Sequence, residues 1–374
     1  MKKENKNSEY FIGLISGTSM DGIDAALIKI KDDIIIVKAT LSKSYPKKLR
    51  ENLLSIRDNP NKINIDQLAQ LDTWIGENFR DSAISLIKKS GIDRSQIQAI
   101  GSHGQTIRHQ PKIKKPFSLQ LGDPNIISHG TKITTVSDFR RKDIAAGGEG
   151  APLTPIFHKS LFSKNKNNCV ILNIGGISNI TILRRDSKEV SGFDTGPGNT
   201  LLDSWIKENK GDLYDKDGAW AETGKTNKEL LKSMLSDPFF KIPPPKSTGF
   251  EYFNLNWINK FLKDKNITPS DVQKTLVDLT AESIAIHIEN FSKNTDEIIL
   301  CGGGPKNITL SNALKKRMPG IRFSLTEDYG FNSDYLEAIA FAFLARQTLL
   351  KKPGNIKSVT GASEEIILGG IYQA

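Results

Sequence analysis

The chain has 374 residues, enough for two domains with separate cores, and its 37% apolar and 25% charged residues are those of a soluble globular protein. A formal charge of +10 invites a nucleic-acid partner, but the lysines scatter along the whole length and no arginine-rich arm or basic-aromatic stripe gathers, so no nucleic acid is expected. Two cysteines without CxxC pairing, a polar start over residues 1–10 and no apolar stretch of membrane length give the expectation of a reducing, cytoplasmic compartment and no membrane association.

The first third opens with apolar runs at 10–15, 25–30 and 34–39, joined by turns too short for a crossover helix, which predicts an antiparallel meander. A long amphipathic helix is predicted over 66–89, with Leu68, Leu71, Ile75, Phe79, Ile84 and Leu86 on its apolar face and Gly91 as its C-terminal cap. Residues 99–102 and 134–136 read as buried strands. The second half repeats the plan: a strand at 169–174, a polar glycine turn at 175–179, return strands at 180–183 and 190–193, then a helix from 199 to about 209. The two glycine turns lie about 160 positions apart, too far for a solenoid and suited to two duplicated domains. Pro243-Pro244-Pro245 predicts an irregular loop, 297–301 a strand running into Gly302-Gly303-Gly304 with a helix from about 307, and 334–350 a strong terminal helix. The tail from 354 is expected to return to the first domain. The expected division is therefore 1–139 with 355–374, and 140–354.

The turn Gly17-Thr18-Ser19-Met20-Asp21-Gly22-Ile23-Asp24 fits two readings, an ordinary hairpin or a phosphate wrap. Glycine lets backbone approach a ligand, hydroxyls and N–H groups donate, and Asp21 and Asp24 can hold a metal or its waters. Gly175 and Gly176 offer a second turn of that kind, and the two are expected to grip a triphosphate from opposite sides. Gly302, Gly303 and Gly304 would let a purine and its ribose lie against bare backbone. No GxGxxG opens a helix after the first strand, and Gly224-Lys225-Thr226 has its earlier glycine one residue too far for a Walker loop, so both alternatives are set aside. Asp194, followed by Thr195-Gly196-Pro197-Gly198-Asn199, is either a proton-accepting carboxylate at a rigid point or an N-cap or turn aspartate. His103 reads as a hydrogen-bonded core histidine, with no metal-ligand spacing to His109. Arg140, Arg141 and Asp143 ahead of Gly147-Gly148-Glu149-Gly150 read as an anion site or a flexible solvated hinge, and Glu337 as a surface charge.

Taken together, residues 16–24, 101–106, 138–152, 173–179, 192–199, 214–217, 245–249, 301–304, 337–345 and 358–362 resemble, in order, the anhydro-N-acetylmuramic acid kinase family of the actin-like sugar kinases. The resemblance implies an α/β fold of two duplicated actin-like, ribonuclease H-like domains around a nucleotide cleft. It also implies an enzyme of cell-wall recycling that uses ATP and Mg²⁺ on a small amino sugar, and a homodimer. In such an enzyme water adds at the anomeric carbon of the anhydro sugar while the released O6 takes the γ-phosphoryl group. By the same resemblance Asp194 is the general base, the 17–24 turn holds ATP phosphates, and His103, Arg140 and Glu337 lie at the sugar. Two departures stand out: Glu149 where relatives carry Gln, and Phe250 where they carry Arg. An actin-like nucleotide switch and a kinase of plain hexoses would use the same fold, and these readings part at the pocket around Asp194.

Overall fold

The computed structural model describes residues 9–60, 63–162, 167–187, 189–263 and 265–374; most of the polar start at 1–10 lies outside them. Strands β1 (Glu9–Ser16), β2 (Gly22–Lys31) and β3 (Ile34–Ser44) form the expected meander, longer than the apolar runs because polar residues continue each edge. β1 then pairs in parallel with β4 (Ile97–Gln110), which pairs in parallel with β6 (Thr135–Ser137), while β5 (Phe117–Leu121) folds back on the far end of β4. In the second half β7 (Cys169–Ile174), β8 (Ile177–Leu183) and β9 (Val190–Pro197) make another meander, and β10 (Glu297–Cys301) and β11 (Arg322–Leu325) add in parallel beside β7. β12 (Gly370–Tyr372) returns to β6. Both sheets therefore share one order, β3-β2-β1-β4-β6 in the first and β9-β8-β7-β10-β11 in the second, with β12 an added edge and β5 an added partner of β4 in the first. This repeated topology is a duplicated α/β unit, as the two matching glycine turns led one to expect.

Two compact units result: the described residues up to Leu161 with Tyr335–Ala374, and Phe162–Asp334. The sequence reading instead placed its boundaries at 139/140 and 354/355. The helix Leu336–Leu349 packs on β1 and β4, and the helix Phe139–Ala145 beside β5, which draws both into the first unit.

β1 lacks polar alternation because both its faces are covered. Ile12 and Leu14 join Leu71, Ile75, Phe79 and Leu86 of the helix Ile65–Ser90 in one core. The opposite face meets the helix Leu336–Leu349, the terminal helix expected over 334–350, which is buried on nearly all sides. At that contact the register pairs Gly13 with Gly101, and a Cβ on either would fall inside contact distance of a helix carbonyl, Ala338 O and Phe341 O respectively. Helix backbone thus rests directly on sheet backbone. A helix at Lys47–Asp58, absent from the sequence reading, follows Pro46. The second unit has its own core, in which Leu172, Ile180 and Phe193 meet Leu201, Leu276, Ile284 and Leu310 from flanking helices.

Candidate active site

In the first unit the 17–24 segment is a built loop. Met20 N–H donates to Gly17 O at 3.2 Å, and Tyr45 N–H donates to Asp21 O at 2.9 Å. Beneath it, Ser16 Oγ donates to Gln105 Oε1 at 2.6 Å, while Gln105 Nε2 donates to Gly17 O at 3.1 Å. Gln105 is fully buried, so this amide holds the loop from below. The side chains of Met20 and Ile23 enter the core, so these two positions of the turn offer a ligand only their backbone; β-strand alternation turns Ile23 inward once β2 has begun at Gly22. Thr18, Ser19 and Asp21 are exposed, and Gly17, Gly22 and Asp24 half-buried. Ser19 Oγ donates to Asp21 Oδ1 at 2.8 Å, and Ser42 Oγ to Asp24 Oδ1 at 2.5 Å.

His103 lies within β4, not after it, and is buried against Phe341 with ring centroids 4.6 Å apart. Its Nδ1–H donates to Gly104 O at 3.0 Å, which leaves Nε2 to accept from Arg140 Nε at 2.9 Å. Burial, with the Arg140 charge adding to it, pushes the imidazole well below the usual histidine range, so the ring is a neutral acceptor. Arg140 also donates to Gly150 O at 2.8 Å. Glu337 keeps water at its surface but is crowded by protein; desolvation pushes its carboxyl up, Arg140 opposes this, and Asp24 reinforces it. A hydrogen bond joins His103 to Arg140, while Glu337 is exposed, the surface charge that the sequence offered.

The segment after Arg140 is no flexible hinge. Fully buried Asp143 accepts from Gly150 N–H at 2.8 Å, Asn355 Nδ2 at 2.7 Å and Thr360 Oγ1 at 2.8 Å, tying the glycine run to the C-terminal tail. Arg141 pairs outward with Asp138 at 2.6 Å. Glu149 meets Lys112 at 3.2 Å, so its extra negative charge has a local counter-charge, whereas Phe250 is exposed.

In the second unit two glycine clusters converge. N–H groups of Gly198 and Thr200 donate to Gly176 O at 2.9 and 3.0 Å, and that of Asn199 to Gly175 O at 2.8 Å, seating the start of the helix Thr200–Lys210 on the turn. Gly302 and Gly304 pack on the backbone and side chain of Ile174, just before that turn. Asp194 stands at a bulge in β9, where Asn179 faces Asp194 while Ser178 faces Gly196. Such a bulge re-aims a side chain. The helix cap position belongs to Asn199, which removes the capping reading of Asp194. Half-buried Asp194 accepts from Thr248 N–H at 2.9 Å through Oδ2.

Lys246 and His287, to which the sequence reading gave no role, form a buried pair near Asp194: Nζ lies 2.7 Å from His287 Nε2. Nothing in the sequence spacing joins positions 41 apart on a loop and a helix. Gln105 was legible only as one position of the 101–106 segment. Among the described residues no three or more His, Cys, Asp or Glu side chains gather to hold a metal alone. No helix among the described residues is long and apolar enough to cross a membrane.

Residues 9–374 match the family described as anhydro-N-acetylmuramic acid kinase. A protein of that name from Coxiella burnetii (strain Dugway 5J108-111) is 49% identical over 365 residues, covering 97% of both chains. One from Shewanella loihica is 47% identical, covering 98% of this chain and 99% of its own, and one from Xanthomonas axonopodis pv. citri is 44% identical, covering 99% and 100%. With a family match across nearly every residue and relatives matched end to end at such identity, the chain belongs to the anhydro-N-acetylmuramic acid kinase family.

Proposed function

We propose that the protein uses ATP to open 1,6-anhydro-N-acetylmuramic acid with water and phosphorylate it at O6, giving N-acetylmuramic acid 6-phosphate and ADP in cell-wall recycling. The observation that supports this most directly is Asp194: a half-buried carboxylate at a strand bulge, gripped by Thr248 N–H, in a chain of this family. Asp194 takes a proton from the water that attacks the anomeric carbon, and the freed O6 accepts the γ-phosphoryl group. The loop rim of Gly17, Thr18, Ser19, Asp21, Gly22 and Asp24 and the turn Gly175-Gly176 hold phosphates with backbone donors, and Gly302, Gly303 and Gly304 hold the adenosine. Bound Mg²⁺ neutralises phosphate charge. Arg140 and neutral His103 meet the sugar's anionic and hydroxyl groups, and Glu337 accepts a sugar hydroxyl.

Reaction in ¹⁸O-labelled water tests the hydrolytic step, with label expected at the anomeric oxygen; its absence would leave a plain hydroxyl kinase. Asp194→Asn is expected to bind ATP and lose turnover by about a thousandfold or more; retained turnover would remove the general-base role. Two further proposals accompany this reading. The protein acts in the cytoplasm, which its two buried free thiols support, and cell fractionation checks it. It works as a homodimer, and sedimentation equilibrium at one protomer mass would end that idea.

A further inference from the structure

Lys246 is 3% exposed, and a cation so withdrawn from water needs compensation. Its ammonium donates to Phe239 O at 3.0 Å and to His287 Nε2 at 2.7 Å, and lies 4.3 Å from the Phe239 ring centroid. None of these partners is an anion. His287 Nδ1–H donates to Ser283 O at 2.5 Å, which fixes the tautomer that leaves Nε2 as acceptor. Burial, against that hydrogen bond and helped by Lys246, holds the ring at about 4, hence neutral. Lys246 itself is pushed down to about 8 by burial, with Asp194 opposing the fall. The same stretch of backbone holds Asp194 twice, Lys246 O accepting from Asp194 N–H at 3.2 Å and Thr248 N–H donating to Oδ2 at 2.9 Å.

We propose that Lys246, seated on His287 and Phe239, is the positioning residue that fixes the Asp194 carboxylate and keeps it ionised for proton abstraction. This rests on the reading of Asp194 as general base. The ammonium is anchored by neutral groups and makes no ion pair among the described residues, which leaves its field to act on the carboxylate. The titratable groups acting on it are Asp194 from β9 and His287 from the helix Pro269–Phe291.

The test is steady-state kinetics with ATP binding on Lys246→Met. The expected result is a kcat about 100-fold lower, an ATP dissociation constant within about twofold of the parent, and an acidic limb of the kcat profile moved to higher pH, because a carboxylate that loses a positive neighbour binds protons more tightly. A kcat within about threefold of the parent, or a loss with the limb unmoved, overturns the proposal. Where Lys246→Met fails to fold, seen as lost ATP binding, a second pair decides. His287→Gln keeps an acceptor for the ammonium and is expected to exceed His287→Leu in kcat by about tenfold, and equal values overturn the proposal. Asp194→Asn run alongside separates the two ideas. Activity in that variant removes the general-base reading, whereas inactivity there beside a fully active Lys246→Met removes only the role of Lys246.

Discussion

Asp143 shows how one side chain can set a segment's conformation. Its carboxylate accepts three hydrogen bonds without exposure to water, so Asp143→Asn turns an amide N–H₂ toward donors and is expected to cost about 3 kcal/mol, read by urea unfolding. His158 gives a prediction with a pH signature. Burial holds it at about 3, so the unfolded chain, with a usual value near 6.5, binds the extra proton first. Its contribution to stability is full above pH ~6.5 and is lost as pH falls toward 3. His158→Asn is therefore expected to flatten the pH dependence of unfolding by about 1.4 kcal/mol per pH unit below 6.5. Asp203, raised to about 7 by burial and by Asp215, has the opposite sign, favouring the folded state at low pH, so the comparison between parent and variant is the informative one. At this scale the sequence revealed Asp194, His103 and Arg140 as chemically interesting types. It did not reveal the partners that hold them, because Gly150, Lys246 and Thr248 reach them only through tertiary folding.

Elements were legible where local chemistry marks their ends. The helix Ile65–Ser90 carries a reciprocal capping box between Asn64 and Gln67, and Gly91 closes it at φ 66°. A Cβ at Gly91 would meet nothing within 4 Å, so Gly91→Ala pays backbone strain alone, about 1 kcal/mol, and Asn64→Ala a similar amount. Thermal unfolding of both variants checks this, and a much larger loss at Gly91 would reveal a contact that the fold does not have. The helix Lys47–Asp58 escaped because its Pro46 start makes no side-chain cap hydrogen bond and its first turn has no acidic residue. β4 escaped in part: its 14 residues run through the glycines and polar side chains at 101–106, which weaken a strand pattern that the neighbouring β1 nonetheless sustains.

On the scale of the whole molecule the duplication was visible as two glycine turns in matching meanders, and the shared strand order carries the same statement in space. The boundaries were harder to read, since the sequence of the helix Leu336–Leu349 says that it is apolar but not which sheet it covers. If ATP with Mg²⁺ binds the folded chain, a concentration one hundred times the dissociation constant should add about 2.7 kcal/mol to unfolding stability, and an unchanged melting temperature would contradict nucleotide binding. The bare-backbone seat of that helix on Gly13 and Gly101 also orders events in time. Strand β1 must wait for residues more than three hundred positions later before that face is sheltered, whereas every residue of Phe162–Asp334 is made before them. A released chain truncated after residue 334 should therefore yield to protease within residues 9–161 and resist it within Phe162–Asp334, so that a strand made early is secured late.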